Sequence, residues 1–377
     1  MKGLPIAGVF IYACAAWSFL HFNRQNFNSP LRLMLLIIAV IGISSIGARN
    51  FGALKTFIDY LTQLLPLVYA VYLLVDTHER VERFFMLWIF VHTAAAVYTI
   101  TNGGRGPGSF IGNQNDVAVA MVMVLPFIAY VAWSDGKSKR LRLLLYFCAL
   151  LVIGAMIATR SRGGFVAFSA VVIGMWWLSD RRWRNLLMGL VAAVLLGGAL
   201  VSLVPSEYVD EVSSISDKEN STRIERIRTW EIAWLMYKAN PVLGVGAKNF
   251  RFNVNQFQEK TSWWTGREKS LQGRAAHSVY FDLIAELGTV GALIYGYIMF
   301  RLPWRLYRIR NQITRTTPED RLLARNCAIL ILSMAAFLAG GAFVSIAYYP
   351  HIPFWIAMYA VLIRQLDGSG FLSTSRS

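Results

Sequence analysis

Apolar runs of membrane-spanning length recur along this chain, and they limit its fold more than any other feature. A hydrocarbon layer about 30 Å thick takes roughly 20 apolar residues in helix, since only a helix or a closed barrel satisfies every backbone polar group there. Such runs lie near residues 4–20, 31–47, 57–76, 84–101, 116–133, 141–158, 164–179, 185–204, 277–300, 326–346 and 351–364. The expected fold class is therefore all-α, a polytopic membrane helical bundle of about eleven spans, twelve at most. Composition agrees. The 377 residues are 56% hydrophobic and 15% charged, against about 25% charged in soluble domains, which excludes an ordinary soluble enzyme.

Orientation follows from basic residues, because Lys and Arg in short loops stay on the cytoplasmic side. Lys137, Lys139, Arg140 and Arg142 mark one such loop, Arg181, Arg182 and Arg184 a second, and Arg301, Arg305, Arg308, Arg310, Arg315, Arg321 and Arg325 a third. The three are an even number of spans apart and agree with one another. The net charge of +16 thus belongs to cytoplasmic loops and gives no reason to expect nucleic acid as a partner. Alternation puts the segments around 48–56, 102–115, 159–163, 205–276 and 347–350 on the external face. Cys14, Cys148 and Cys327 lie in apolar stretches without CxxC spacing, so neither a disulfide framework nor a zinc site is implied.

Four regions are expected: spans 1–8 over residues 1–204, a large external loop over 205–276, spans 9–11 over 277–364 and a cytoplasmic tail over 365–377. A connection of about 70 residues is far beyond ordinary loop lengths. It carries apolar residues at helical spacing from Ile224 to Trp234 and a turn at Asn240-Pro241 followed by Gly244 and Gly246. The expectation is a small subdomain with two or three short helices.

Five clusters on the expected external face carry chemistry. Asn113 and Asp116, at the mouth of the fifth span, either cap a helix or contact a substrate. Arg160 and Arg162 occupy a connection where the positive-inside rule disfavours arginine, so they either bind an anion such as phosphate or snorkel to headgroups. Arg223, Arg226 and Arg228 precede Trp230, and Arg226 shares a helical face with Thr229 and Trp230. A cation beside an aromatic ring suits a sugar attached to phosphate, while a solvated charged helix is the plainer alternative. His277 and Ser278 open the ninth span, and histidine beside arginines would be neutral and able to take a proton. Tyr348 and Tyr349, between the last two spans, form an interfacial aromatic belt or stack on a sugar ring. His277, His351, Asp116 and the loop acids show no metal-ligand spacing, so neither a metal nor another cofactor is expected.

In these residues the chain resembles the O-antigen ligase and O-antigen polymerase superfamily, membrane glycosyltransferases that use polyprenyl-diphosphate-linked glycans. His277-Ser278, nine residues, then Gly288-Thr289-Val290-Gly291 fit the pattern H[NSQ]x9GxxG without a gap. Ser161-Arg162-Gly163 resembles the family's short arginine loop, Arg226 through Trp230 its RxxxW segment, and Asn240 through Gly246 its NPxxGxG turn. The resemblance covers roughly residues 105–365. Within it, the Gly112 to Asp116 segment and the Tyr348-Tyr349 loop resemble a branch of exosortase-associated O-glycosylation ligases.

The resemblance implies transfer of a glycan from undecaprenyl diphosphate to a hydroxyl acceptor (lipid A core, protein or the growing glycan) at the periplasmic face of a bacterial inner membrane. His277, Arg226 and Arg162 are then the catalytic candidates. Arg160, Arg223, Arg228, Trp230, Asn113, Asp116, Ser278, Tyr348 and Tyr349 are candidate substrate contacts. Asp282 and Glu286, five and nine residues beyond His277, are expected off its helical face and are assigned no catalytic role, although a carboxylate base is the rival to the histidine. Gly288 and Gly291, a turn apart, are expected to pack the ninth span closely against a neighbouring one. A polymerase differs only in its acceptor. A transporter or flippase of a lipid-linked or anionic solute would place ionisable groups at mid-membrane and on both faces rather than gathering them outside.

Overall fold

The computed structural model describes residues 6–23, 29–108, 111–179 and 206–369. It is an all-α polytopic membrane protein, with no strand among the described residues. Helices α1 (Ile6–Leu20) and α2 (Ser29–Ser44) are followed by α3 (Gly52–Leu74), which contains a π-helical turn at Tyr60–Leu64. Next come α4 (His78–Thr101), α5 (Gln114–Ala132), α6 (Lys139–Ala158) and α7 (Arg162–Trp177). The remainder is α8 (Ser206–Ala239), α9 (Phe250–Gln258), α10 (Val279–Gln312), α11 (Pro318–Gly341) and α12 (His351–Gly368).

Six of these helices, α3, α4, α5, α6, α10 and α11, are long and apolar enough to cross a membrane. Pro30–Ser44 and Arg162–Trp177 are shorter apolar helices. The expected span at 185–204 and the loop bearing Arg181, Arg182 and Arg184 lie outside the described residues.

Helix α5 is the centre of the bundle. It is apolar all round and buried from Val117 to Ile128, as a helix enclosed by α6, α7 and α11 must be. Its start is fixed by Asn113, whose side chain accepts from the backbone N–H of Asn115 at 2.8 Å. Ser138 caps α6 and Ser161 caps α7 in the same manner. At the start of α11 Thr317 and Asp320 form a capping box with Pro318 in the first turn.

The long loop departs from expectation. One helix of 34 residues replaces the two or three short ones, and only α9 follows it. The apolar face that α8 shows between Ile232 and Met236 packs with Phe250, Val254, Phe257 and Leu271 into a core of its own. That core closes on Ala285 of α10.

The glycine pattern in α10 also has a different meaning from the one expected. Gly288 has φ 61° and ψ −160°, so it interrupts the helix. The interruption frees backbone groups on both sides, and the Asn240–Gly246 turn takes them up. Thr289 and Val290 donate to the carbonyls of Pro241 and Val242 at 2.8 and 3.2 Å, while Val245 and Gly246 donate to those of Ala285 and Glu286 at 2.9 Å each. A Cβ on Gly288 would meet the Val242 carbonyl carbon at 2.5 Å, and one on Gly244 (φ 66°) would meet that of Glu286 at 2.3 Å. The two glycine motifs are therefore the two halves of one backbone joint, not a contact between spans.

Candidate functional site

The N-termini of α5, α7, α10 and α12 meet at one end of the bundle, and hydrogen bonds between their caps hold them there. Ser161, just before α7, donates to Asn115 Oδ1 of α5 at 2.7 Å. Tyr349, just before α12, donates to Asp116 Oδ2 of α5 at 2.5 Å. Ser345 accepts from the backbone N–H of His277, just before α10, at 3.1 Å. Each helix start presents unsatisfied N–H groups and a partial positive charge, so this end of the molecule favours anions.

Arg162 is the first residue of α7. A cation is unfavourable at that end of a helix dipole unless an anion joins it. Helix α8 brings Arg226 alongside: its guanidinium carbon lies 5.7 Å from the centre of the Phe343 ring. The same Phe343 packs against Gly163, where a Cβ would stand 3.1 Å from Phe343 Cβ. Arg226 Nε is buried and has no hydrogen-bond partner among the described residues. Burial, and next the charge of Arg162, lower the Arg226 pKa from its ordinary value. Arg226 in turn acts on His277, whose pKa is lowered first by burial, then by Arg226, with Glu225 opposing and Arg274 adding to the decrease. Arg226 thus stands within electrostatic reach of both Arg162 and His277, though the three lie far apart in sequence.

His277 itself adopts φ 52°, in the left-handed region that few non-glycine residues enter. Strain of this kind persists only where surrounding structure enforces it. Enforcement comes from both sides. Ser345 holds the His277 N–H, and Trp230 Nε1 donates to the carbonyl of Ala276 at 3.0 Å. Trp230 is itself fixed by stacking on Phe281, with ring centres 5.1 Å apart and planes 10° apart. Its ring thus supports the histidine peptide.

Since α10 begins at Val279, His277 is outside the helix, and the angular reasoning that set Asp282 and Glu286 apart from it does not apply. Ser345, which accepts from the His277 N–H, also stands close enough to Asp282 to act on its carboxylate. Glu286 accepts from the backbone N–H groups of Lys248 and Phe250 at 2.9 and 2.8 Å, so it caps α9 and secures the loop. Below Ser345 lies a cavity of about 360 Å³ bordered by Ala275, Lys248, Arg251, Asp282 and Tyr349.

The remaining candidates divide. Asn113 is a helix cap, and Asp116 reaches the cluster through Tyr349. Tyr348 is buried, with Lys248 Nζ 5.9 Å from its ring centre, so its face is not open for stacking. Arg228 turns to the Trp263 ring at 4.5 Å, within the loop subdomain. Arg160 (φ 53°) and Arg223 are exposed. Ser278 is buried at the first turn of α10 and makes no capping hydrogen bond with its side chain. Among the described residues no group of three or more His, Cys, Asp or Glu is arranged to hold a metal ion. Sequence reasoning passed over Phe343, Ser345 and Arg251. Only Arg251 had any signal, a cation five residues past the Asn240–Gly246 turn.

Residues 147–296 match the family model for O-antigen ligases. The chain carries an O-antigen ligase domain. No curated protein matches the chain. The ligase domain contains Arg162, Arg226 and His277, together with both halves of the glycine joint. It therefore places the chain with glycosyl-transferring membrane enzymes of the ligase and polymerase kind. Asp116 and Tyr349, which join the cluster through their hydrogen bond, come from outside the matched stretch.

Proposed function

We propose that this protein transfers a glycan from undecaprenyl diphosphate to a hydroxyl acceptor at the periplasmic face of a bacterial inner membrane. The observation that carries the proposal is the meeting of Arg162, Arg226 and a half-buried His277 of lowered basicity. In the reaction the acceptor oxygen attacks the anomeric carbon of the donor, the bond from that carbon to the phosphate oxygen breaks, and the polyprenyl diphosphate leaves with the electron pair. The acceptor proton passes to the imidazole of His277, a contribution of about 100 to 10,000-fold for a positioned base. Attack opposite the leaving group inverts the anomeric centre. Arg162, Arg226 and the start of α7 offset the charge that develops on the diphosphate, so the scheme requires no metal. A ligase and a polymerase share this chemistry and differ in acceptor.

The test is transfer in proteoliposomes loaded with undecaprenyl-diphosphate-linked glycan. His277→Ala and Arg226→Ala are each expected to lower transfer at least about 100-fold while the protein elutes as a folded species. Arg162→Lys is expected to cost about tenfold or more, because a single ammonium does not reproduce the two-point grip of guanidinium on phosphate. Near-normal product from His277→Ala and Arg226→Ala overturns the proposal.

A further inference from the structure

The cavity bordered by Ser345 reaches the histidine through that serine, and neither Arg162 nor Arg226 lines it. Ala275 and Ser345 are common to its wall and to the His277 backbone environment. Its volume of about 360 Å³ falls at the lower end of small-molecule sites, which run from about 300 to 1,000 Å³. The catalytic scheme gives it no occupant.

The charges around it are unequally committed. Asp59 is held by Lys55 at 2.7 Å and by Gln63 at 3.1 Å. Both carboxylate oxygens of Glu286 accept backbone N–H groups. Asp282 lies close enough to Ser345 for the serine hydroxyl to act on its carboxylate. The guanidinium of Arg251, by contrast, makes no ion pair or hydrogen bond among the described residues, although its charge acts on Asp282, Glu286 and Tyr349. Lys248 stands beside it with a left-handed backbone (φ 54°), fixed by the Glu286 carboxylate at its N–H. A planar fork with no protein acceptor among the described residues, exposed on the wall of a half-open pocket, is suited to a carboxylate or phosphate.

Building on the glycan-transfer reading, we infer that this cavity seats the acceptor and selects one that carries an anionic group, a carboxylate or a phosphate, near the reacting hydroxyl. Arg251 grips the anion, Lys248 adds charge, and the acceptor hydroxyl is presented to His277 past Ser345. The donor diphosphate and the acceptor anion are then each held by their own guanidinium.

Three synthetic acceptors that differ in one substituent test this: octyl β-glucoside, octyl β-glucuronide and octyl β-glucoside 6-phosphate, each supplied to the protein in proteoliposomes with undecaprenyl-diphosphate-linked glycan. The wild-type protein is expected to use at least one anionic acceptor about tenfold or more better in kcat/KM than the neutral one, the worth of one charged hydrogen-bonded contact. Preference for the glucuronide identifies a carboxylate, and preference for the 6-phosphate identifies a phosphate. In Arg251→Gln the ratio of anionic to neutral use is expected to fall to within about twofold. Because the ratio is taken within one preparation, partial misfolding of the variant does not alter it, and the wild-type preference stands without any variant. Equal use of the three acceptors by the wild-type protein, or an unchanged ratio in Arg251→Gln, overturns this inference alone. Transfer to none of them, with Arg226→Ala indistinguishable from wild type, overturns the glycan-transfer reading along with it.

Discussion

Burial and the neighbouring Arg226 both favour the neutral imidazole of His277, and this sets the direction of its pH response. The folded-state value lies below the ordinary 6.5, so the base form extends to more acidic conditions and is lost as pH falls through the lowered value. Transfer is therefore expected to persist to lower pH than an ordinary histidine would allow before it declines. Arg274 adds to the decrease and is paired with Glu225 at 3.0 Å. Arg274→Gln removes a repelling charge and releases a carboxylate that acts in the opposite sense, so the acid limb is expected to move to higher pH. A pH profile of kcat/KM checks both statements, and a limb that moves to lower pH contradicts them. The residue types at this site were legible in the sequence, because His277, Arg226 and Arg162 each sit in a motif of fixed spacing. Ser345 and Phe343 were not. A serine and a phenylalanine in an apolar stretch signal nothing until the fold brings them 68 residues back to His277 and alongside Gly163.

At the scale of elements, the joint between the Asn240–Gly246 turn and the break at Gly288 decides how the loop subdomain attaches. Gly288→Ala would put a Cβ 2.5 Å from the Val242 backbone at a positive φ. A cost of about 1–3 kcal/mol from the conformation alone is expected, increased by the overlap. Thermal unfolding in detergent should show the larger loss for Gly288→Ala and Gly244→Ala, and a smaller one, about 1 kcal/mol from the left-handed φ of 85° alone, for Gly266→Ala, which has open space around it. Helical spacing concealed this joint. Two glycines three apart read as a packing face, whereas a positive φ at the first of them turns the chain out of the helix. The length of α8 was concealed too: residues 206–223 are polar and mixed in charge, without the apolar periodicity that marks Ile224 to Trp234.

For the whole molecule, hydropathy suffices for the class of fold, and the arginine-rich loops give an expected orientation, because membrane insertion reads those same quantities. They do not specify which helix lies at the centre. That place falls to α5, apolar on every side and buried along most of its length. The orientation has a direct test. Lys269→Cys and Lys139→Cys, both at exposed positions, are introduced after the native cysteines are replaced by serine. A membrane-impermeant maleimide added to intact spheroplasts is expected to label the first and spare the second. The opposite pattern would put the arginine and histidine cluster on the cytosolic side.

The backbone joint also determines which wall of the chamber can yield. Arg226 on α8 and His277 ahead of α10 are tied into one piece by four main-chain hydrogen bonds, the Glu286 carboxylate and a shared apolar core. Swinging that piece outward to admit a lipid tail would break all of these together. Arg162 and Tyr349 approach from the other side, on α7 and ahead of α12, and each of those segments has one side-chain hydrogen bond to α5 beside the packing of α7 on it. The imidazole and the facing guanidinium are therefore carried as a fixed pair.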